Sequence, residues 1–293
     1  MRISGLILII CCFFEASFAQ NIKNQFFPLH NIISGDSTYN TYDKQVALVK
    51  SAGYDGIEIN NLDSFDGMKA AIDRNAFKAS FFYVEITLDS PYMDNRLEGY
   101  IRQLKGSKTI LSPFIVSNSK LPPGDHSPDT LLIRLMRQLA DWADESGLEV
   151  AIYPHFGFYV ARSDHALSIV KAVRRKNLGL SFNLCHWLAT TQQQDRGRLK
   201  PLLKELRPYL KMITICGAND VVSQQPTLWD DYILPLGMGS FDTYGLLKYC
   251  LRDLKLRVPV GVQCFNIKTD KYQLVQNTMV IWRQYKNRLE TEK

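Results

Sequence analysis

Eight short apolar runs, separated for the most part by stretches of helical period, repeat from one end of the chain to the other. This alternation constrains the fold more than any other feature. The runs are residues 26–33, 54–59, 79–86, 109–116, 149–153, 179–183, 212–216 and 258–263. Between them apolar residues recur every three or four positions: Val46 and Val49; Leu131, Leu135, Leu139 and Trp142; Ala166, Ile169, Val170 and Val173; Leu246, Leu247 and Leu251. Leu274, Met279, Ile281 and Trp282 mark a closing helix. Strands alternating with helices imply a parallel sheet. Eight such units in about 260 residues predict an α/β chain folded as one closed (β/α)₈ barrel, with reactive groups at the C-terminal ends of the strands. A doubly wound open sheet would want a glycine-rich phosphate loop after its first strand, and His30-Asn31-Ile32-Ile33-Ser34-Gly35 is not one. Gly53 and Gly147 suit helix C-caps, and Pro128-Asp129 opens what reads as the longest helix.

The first residues have a different purpose. Met1-Arg2 precedes an apolar stretch from Ile3 to Phe14, and Ser17-Phe18-Ala19 has the small residues expected before a signal-peptidase cut. Residues 1–19 are therefore expected to be an export signal cleaved before Gln20, leaving 20–293 as the barrel in a periplasmic or extracellular location. The apolar stretch is shorter than the ~20 residues of a membrane span, so no membrane anchor is expected after cleavage. A formal charge of +6 is spread along the chain, and the densest basic run, residues 171–176, closes a helix, where cations complement the dipole. Nucleic acid is not an expected partner. Cys185, Cys216, Cys250 and Cys264 remain after cleavage, three of them in or beside apolar strands and without a CxxC pair. They read as free core thiols.

The strand ends carry a polar set. His30 and Asn31 follow the first strand, Glu58 and Asn60 the second, and Glu85 the third. Tyr153 with His155 stands at the fifth, Asn183 and His186 at the sixth, Cys216, Asn219 and Asp220 at the seventh, and Gln263, Asn266 and Lys268 at the eighth. Within this frame the stretches Gly53-Tyr-Asp-Gly-Ile-Glu58, Val150-Ala-Ile-Tyr-Pro-His155, Leu178-Gly-Leu-Ser-Phe-Asn183-Leu-Cys-His186 and Pro259-Val-Gly-Val-Gln263 resemble the xylose isomerase-like TIM barrels. That superfamily, which also includes the AP endonuclease family 2-like proteins, contains sugar isomerases, ketose epimerases and inosose dehydratases. Residues 229–241 resemble the family's lead into its final helix-strand unit.

The resemblance implies a divalent ion held by Glu, Asp, His and Glu at strands five to eight. Those positions are occupied here by Tyr153, Asn183, Cys216 and Gln263. All four depart from the pattern, so no metal cofactor is expected, although the family normally uses Mn, Mg, Zn or Co; oxygen-seeking dications favour anionic ligands. A displaced zinc site of His155, His186 and Cys216 is chemically conceivable. The DNA-repair endonucleases of the family need many His and acidic ligands, which five histidines do not supply.

Two functions fit. One is an exported enzyme acting on a carbohydrate or keto-sugar derivative by proton transfer beside a carbonyl, as isomerases, epimerases and some lyases do. Its catalytic candidates are Glu85 and His186, then His155 and Glu58, with Tyr153, Asn183, Gln263, His30, Asn219, Trp187 and Lys268 binding substrate. The other is a carbohydrate-binding barrel without catalysis, using neutral amides and the aromatics Phe156, Phe158, Tyr159 and Trp187. Glu58 also has a structural alternative, orienting a neighbouring histidine or lysine. Composition does not separate the outer helix faces from an oligomer interface.

Overall fold

The computed structural model describes residues 21–119 and 124–292; the expected export signal lies outside them. Eight strands follow in chain order: β1 (Phe26–Pro28), β2 (Ile57–Ile59), β3 (Ala79–Thr87), β4 (Ile110–Val116), β5 (Glu149–Ile152), β6 (Leu178–Asn183), β7 (Leu210–Ile215) and β8 (Val260–Val262). They pair in the order β1-β8-β7-β6-β5-β4-β3-β2, every neighbour parallel. Around them lie α1 (Tyr42–Ala52), α2 (Phe65–Arg74), α3 (Leu97–Gln103), α4 (Asp129–Glu145), α5 (Ser163–Val173), α6 (Leu184–Thr190), α7 (Leu199–Leu206), α8 (Trp229–Tyr232), α9 (Thr243–Lys248) and α10 (Lys271–Thr291). This is the expected single-domain (β/α)₈ barrel. No helix among the described residues is long and apolar enough to cross a membrane.

Strand pleating sends alternate side chains to opposite faces. Phe82, Val84 and Ile86 of β3 join the large core between strands and helices. Their neighbours point inward, where Phe27, Leu29, Phe81, Ile110, Ala151, Tyr153 and Met212 form a separate cluster with Tyr83 and Phe114 packed on it. The interior is largely aromatic: ring centroids lie 5.9 Å apart for Phe27–Phe81, 5.1 Å for Tyr83–Tyr153 and 4.2 Å for Tyr83–Phe114. Gly261 makes room for this filling, because a Cβ there would come within 3.0 Å of Thr214 and 3.1 Å of Phe27.

The seam between β1 and β2 is held by one backbone hydrogen bond and two carboxylates. Near the N-terminal ends, Asp55 N–H donates to Phe26 O at 2.9 Å, and the Asp55 carboxylate accepts from Phe26 N–H at 2.8 Å. Near the C-terminal ends, His30 N–H donates to Glu58 Oε2 at 2.5 Å. Glu58 thus braces the seam through the backbone of His30.

Several boundaries differ from the sequence reading. The first strand ends at Pro28, and a 3₁₀ turn at His30–Ile32 follows. The second and eighth strands begin later, at Ile57 and Val260. Asp129 does open α4, whose Leu132, Leu135, Met136, Leu139, Ala140 and Ala143 form one buried stripe. At 17 residues it is shorter than the 21-residue α10, which starts at the capping side chain of Asp270. Gly53 caps α1 in the left-handed region at φ 96°. The four cysteines are buried and free.

Candidate active site

The inward row of β3 runs Phe81, Tyr83, Glu85, so the same alternation that buries Phe81 carries Glu85 up to the mouth. There it is exposed, and its side chain makes no hydrogen bond or ion pair with other described residues. Opposite, β5 ends at Ile152 and delivers Tyr153 and His155, while β6 passes directly into α6 and delivers His186 in its first turn. These rings meet in a row. His155 lies 4.0 Å from His186 and 4.0 Å from Phe158; Phe158 lies 5.3 Å from Phe114. Trp229 of α8 closes the far side, 5.3 Å from His186 in an edge contact.

Hydrogen bonds assign the two histidines complementary tautomers. His155 Nδ1 is 2.8 Å from Phe156 O, an acceptor, so Nδ1 carries the proton and Nε2 presents a lone pair. His186 Nδ1 accepts from Phe156 N–H at 3.4 Å, so its Nε2 carries the proton. That N–H is buried without a partner, and so is the Tyr153 hydroxyl. Buried polar atoms are normally paired; the Tyr153 hydroxyl has Thr214, and the His186 ring Cys185, as its polar neighbours. Burial and the neighbouring His186 push His155 down to about 3, which keeps it a neutral imidazole at physiological pH. Glu58, 2 % exposed, is pushed by burial up to about 7. Tyr83 is raised first by burial and then by the charges of Glu58, Cys185 and Glu85.

Several expected binding residues are engaged elsewhere. Asn183 Nδ2 donates to Pro154 O at 3.0 Å, and its Oδ1 accepts from Thr214 Oγ1 at 2.9 Å. Gln263 Oε1 accepts from Asn31 Nδ2 and from the N–H groups of Cys264 and Phe265. Burying the strand exits requires these pairings, and they leave the two amides less to offer a ligand. The His30 ring turns to α1 and bonds Gln45 at 2.8 Å. Asn219 ties its own loop together through Asp231 and Ser240. Trp187 is core, packed on Phe182 and Phe241, because α6 is buried along most of its length. Lys268 is exposed on the loop after β8; Lys271, not singled out from the sequence, reaches Asn31 O at 3.2 Å. Cys216 Sγ donates to Tyr232 O at 3.1 Å, and it does not gather with His155 and His186 into a set of metal donors. Trp229, Tyr83 and Phe114 are the mouth residues that sequence reasoning missed. The inward alternation of β3 and β4 marks the last two, whereas nothing local marks Trp229.

A family model described as xylose isomerase-like TIM barrel matches residues 46–280. The chain belongs to this family. Its fold is similar to the D-allulose 3-epimerase from Methylomonas sp. in complex with D-allulose, at 16% identity and TM-score 0.67, covering 89% of this chain and 97% of that one. It is also similar to the 3-keto-D-glucoside 4-epimerase from E. coli, at 15% identity and TM-score 0.69, covering 89% and 100%. A third similar structure, the IOLI protein with a bound zinc atom, has 16% identity and TM-score 0.65 over 92% and 98%. No curated protein matches the sequence.

In this xylose isomerase-like barrel the residues at the family's metal positions do not fit a dication. Tyr153 is raised far above its ordinary range by burial, and Cys216 is raised by its contact with Cys185 and by burial, so both stay protonated. Asn183 and Gln263 are neutral, and their carbonyl oxygens already accept hydrogen bonds. A bare dication among four uncharged groups in a buried mouth lacks the charge compensation it requires.

Proposed function

We propose that this barrel acts on a carbohydrate or keto-sugar derivative by isomerase- or epimerase-type proton transfer at its C-terminal mouth, using its own side chains in place of the family's metal. The observation that carries this reading is the pair of buried, partnerless groups, His186 Nε2–H and Tyr153 O–H, beside the lone pair of His155 Nε2. Two donors and one acceptor within one aromatic wall suit a polyhydroxylated ligand. The similar epimerases act on or bind sugars by name, which supports the substrate class.

In the chemistry proposed, the Glu85 carboxylate takes the proton from the carbon beside the carbonyl. The electron pair moves to the carbonyl oxygen, where His186 Nε2–H and the Tyr153 hydroxyl hold the negative charge. For an epimer, a solvent proton reaches the same carbon from the opposite face and Glu85 gives its proton to solvent; for an isomer, Glu85 returns the proton to the former carbonyl carbon while that carbon's oxygen gains a proton and the adjacent hydroxyl loses one. His155, uncharged, accepts a substrate hydroxyl. The aromatic wall of Phe114, Phe158 and Trp229 excludes water and so strengthens each of these interactions. Export rests on the residue 1–19 pattern and is checked by mass spectrometry of the secreted protein.

A second reading, a sugar-binding barrel without turnover, is favoured by one observation: Asn183, Gln263 and Glu58 all hold the scaffold itself. Solvent deuterium exchange separates the two. With chelator present, the enzyme incorporates deuterium beside the carbonyl of a ketose, and His186→Ala slows this about 100-fold, the lower range for an acid/base group. No exchange across a ketose panel, with a sugar-dependent rise in melting temperature, selects the binding barrel. Neither signal defeats both.

A further inference from the structure

Of the five histidines, His126 and His165 lie outside the mouth, and the structure brings them to each other. His126 stands three residues before Asp129, the first residue of α4, and His165 lies in the first turn of α5. His126 Nδ1 is 3.1 Å from His165 Nε2 and 3.4 Å from Asp129 Oδ2; His165 Nε2 is 2.9 Å from Asp129 Oδ1. Among the described residues this is the only trio of His, Cys, Asp or Glu donors so close together.

One ligand atom from each residue lies within 4.8 Å of the others. A tetrahedral ion with bonds of ~2.0 Å holds its ligand atoms ~3.3 Å apart, and the contacts here are of that size, the two histidines meeting different oxygens of Asp129. Two imidazoles and one carboxylate form a borderline-soft, singly anionic donor set that suits zinc-class ions over Mg²⁺ or Ca²⁺. The carboxylate is also held in place: Tyr159 O–H donates to Asp129 Oδ1 at 2.8 Å, the outer-shell support typical of metal ligands. Access is graded, with His126, Asp129 and His165 side chains 55%, 22% and 10% exposed. All three line an open cleft of about 1160 Å³, together with Ser117, Ser119, Asp125, Phe158 and Arg162.

The geometry points to a zinc-class ion bound by His126, Asp129 and His165, with an open coordination position for water or an oxygen ligand entering the cleft. Its donor atoms are not those of the mouth, although Phe158 lines both.

The test uses the untagged mature chain, stripped by chelator and titrated with Co²⁺ as a spectroscopic substitute for Zn²⁺. The expected result is one ion per chain with the strong visible absorption of four-coordinate Co²⁺, displaced by Zn²⁺. His165→Ala and Asp129→Asn each weaken binding at least about 100-fold, and Tyr159→Phe about 10-fold, as loss of an outer-shell partner does. His186→Phe, at the mouth, leaves the titration unchanged. Absence of saturable binding, a titration unaffected by the double variant His126→Ala/His165→Ala, or loss in His186→Phe equal to that in His165→Ala would each overturn the site. Should a variant fold poorly, imidazole NMR of the wild type decides. Zn²⁺ shifts confined to His126 and His165 support the site; shifts at His155 and His186 refute it.

Discussion

The mouth and the cleft beside α4 and α5 are both built around a pair of histidines in contact, and the pairs have opposite surroundings. At the mouth, His186 is buried and His155 half-buried among aromatic rings, and the nearby amides bond the scaffold. In the cleft, His126 and His165 share a partly exposed aspartate and face open space. Burial therefore separates two chemistries that residue type alone does not. A neutral imidazole in a dry wall donates or accepts one hydrogen bond to a polar ligand; an accessible imidazole beside a carboxylate binds a cation.

If the mouth is a packed structure and the cleft an open one, substitutions should divide accordingly. Phe81→Ala, which empties the centre of the barrel interior, is expected to cost about 3–5 kcal/mol in urea unfolding. A cost near 1 kcal/mol would mean that the aromatic filling is loose and would weaken the contrast.

Glu58 gives a pH-dependent version of the same test. Its native carboxyl titrates near 7 against an ordinary 4.5, so the folded state binds the proton more tightly. Its favourable contribution is complete below pH 4.5 and is lost as pH rises through 7, a change of roughly 3 kcal/mol. Glu58→Gln keeps an oxygen for His30 N–H and does not titrate. Relative to wild type it should gain that roughly 3 kcal/mol between pH 4.5 and pH 8. A gap that does not change with pH would show that Glu58 is solvated.

Thr214→Val removes the donor to Asn183 Oδ1 inside the barrel and should cost about 1–3 kcal/mol, because the amide oxygen stays buried and unpaired. His126→Ala, on the exposed side of the cleft, should change metal-free stability by less than about 0.5 kcal/mol. Equal costs for these two would erase the distinction between the regions.

How much of this was legible in the sequence differs between the two regions. The barrel was legible because eight apolar runs recur in order, and the helices found had clear stripes, as in α4 and α5. α2, α3 and α6 were not picked out: α3 is seven residues, and α6 is buried along Leu184 to Leu188, which removes the amphipathic period. At the mouth, strand-end logic located Tyr153, His155, His186 and Glu85. It did not reveal that Asn183 and Gln263 bond the scaffold, since partners 31 and 232 residues away in sequence leave no local trace. The cleft was illegible for the same reason. His126 and Asp129 are neighbours at a helix start, but His165 arrives only when α5 packs beside α4.

On this reading, cation-binding capacity in the barrel lies in the cleft and not at the mouth. Anomalous diffraction from crystals soaked in Zn²⁺ tests it most directly. The expected result is one strong peak within about 2.0–2.2 Å of His126 Nδ1, Asp129 and His165 Nε2, with none among Tyr153, Asn183, Cys216 and Gln263. A peak inside the mouth, with the cleft empty, would contradict it.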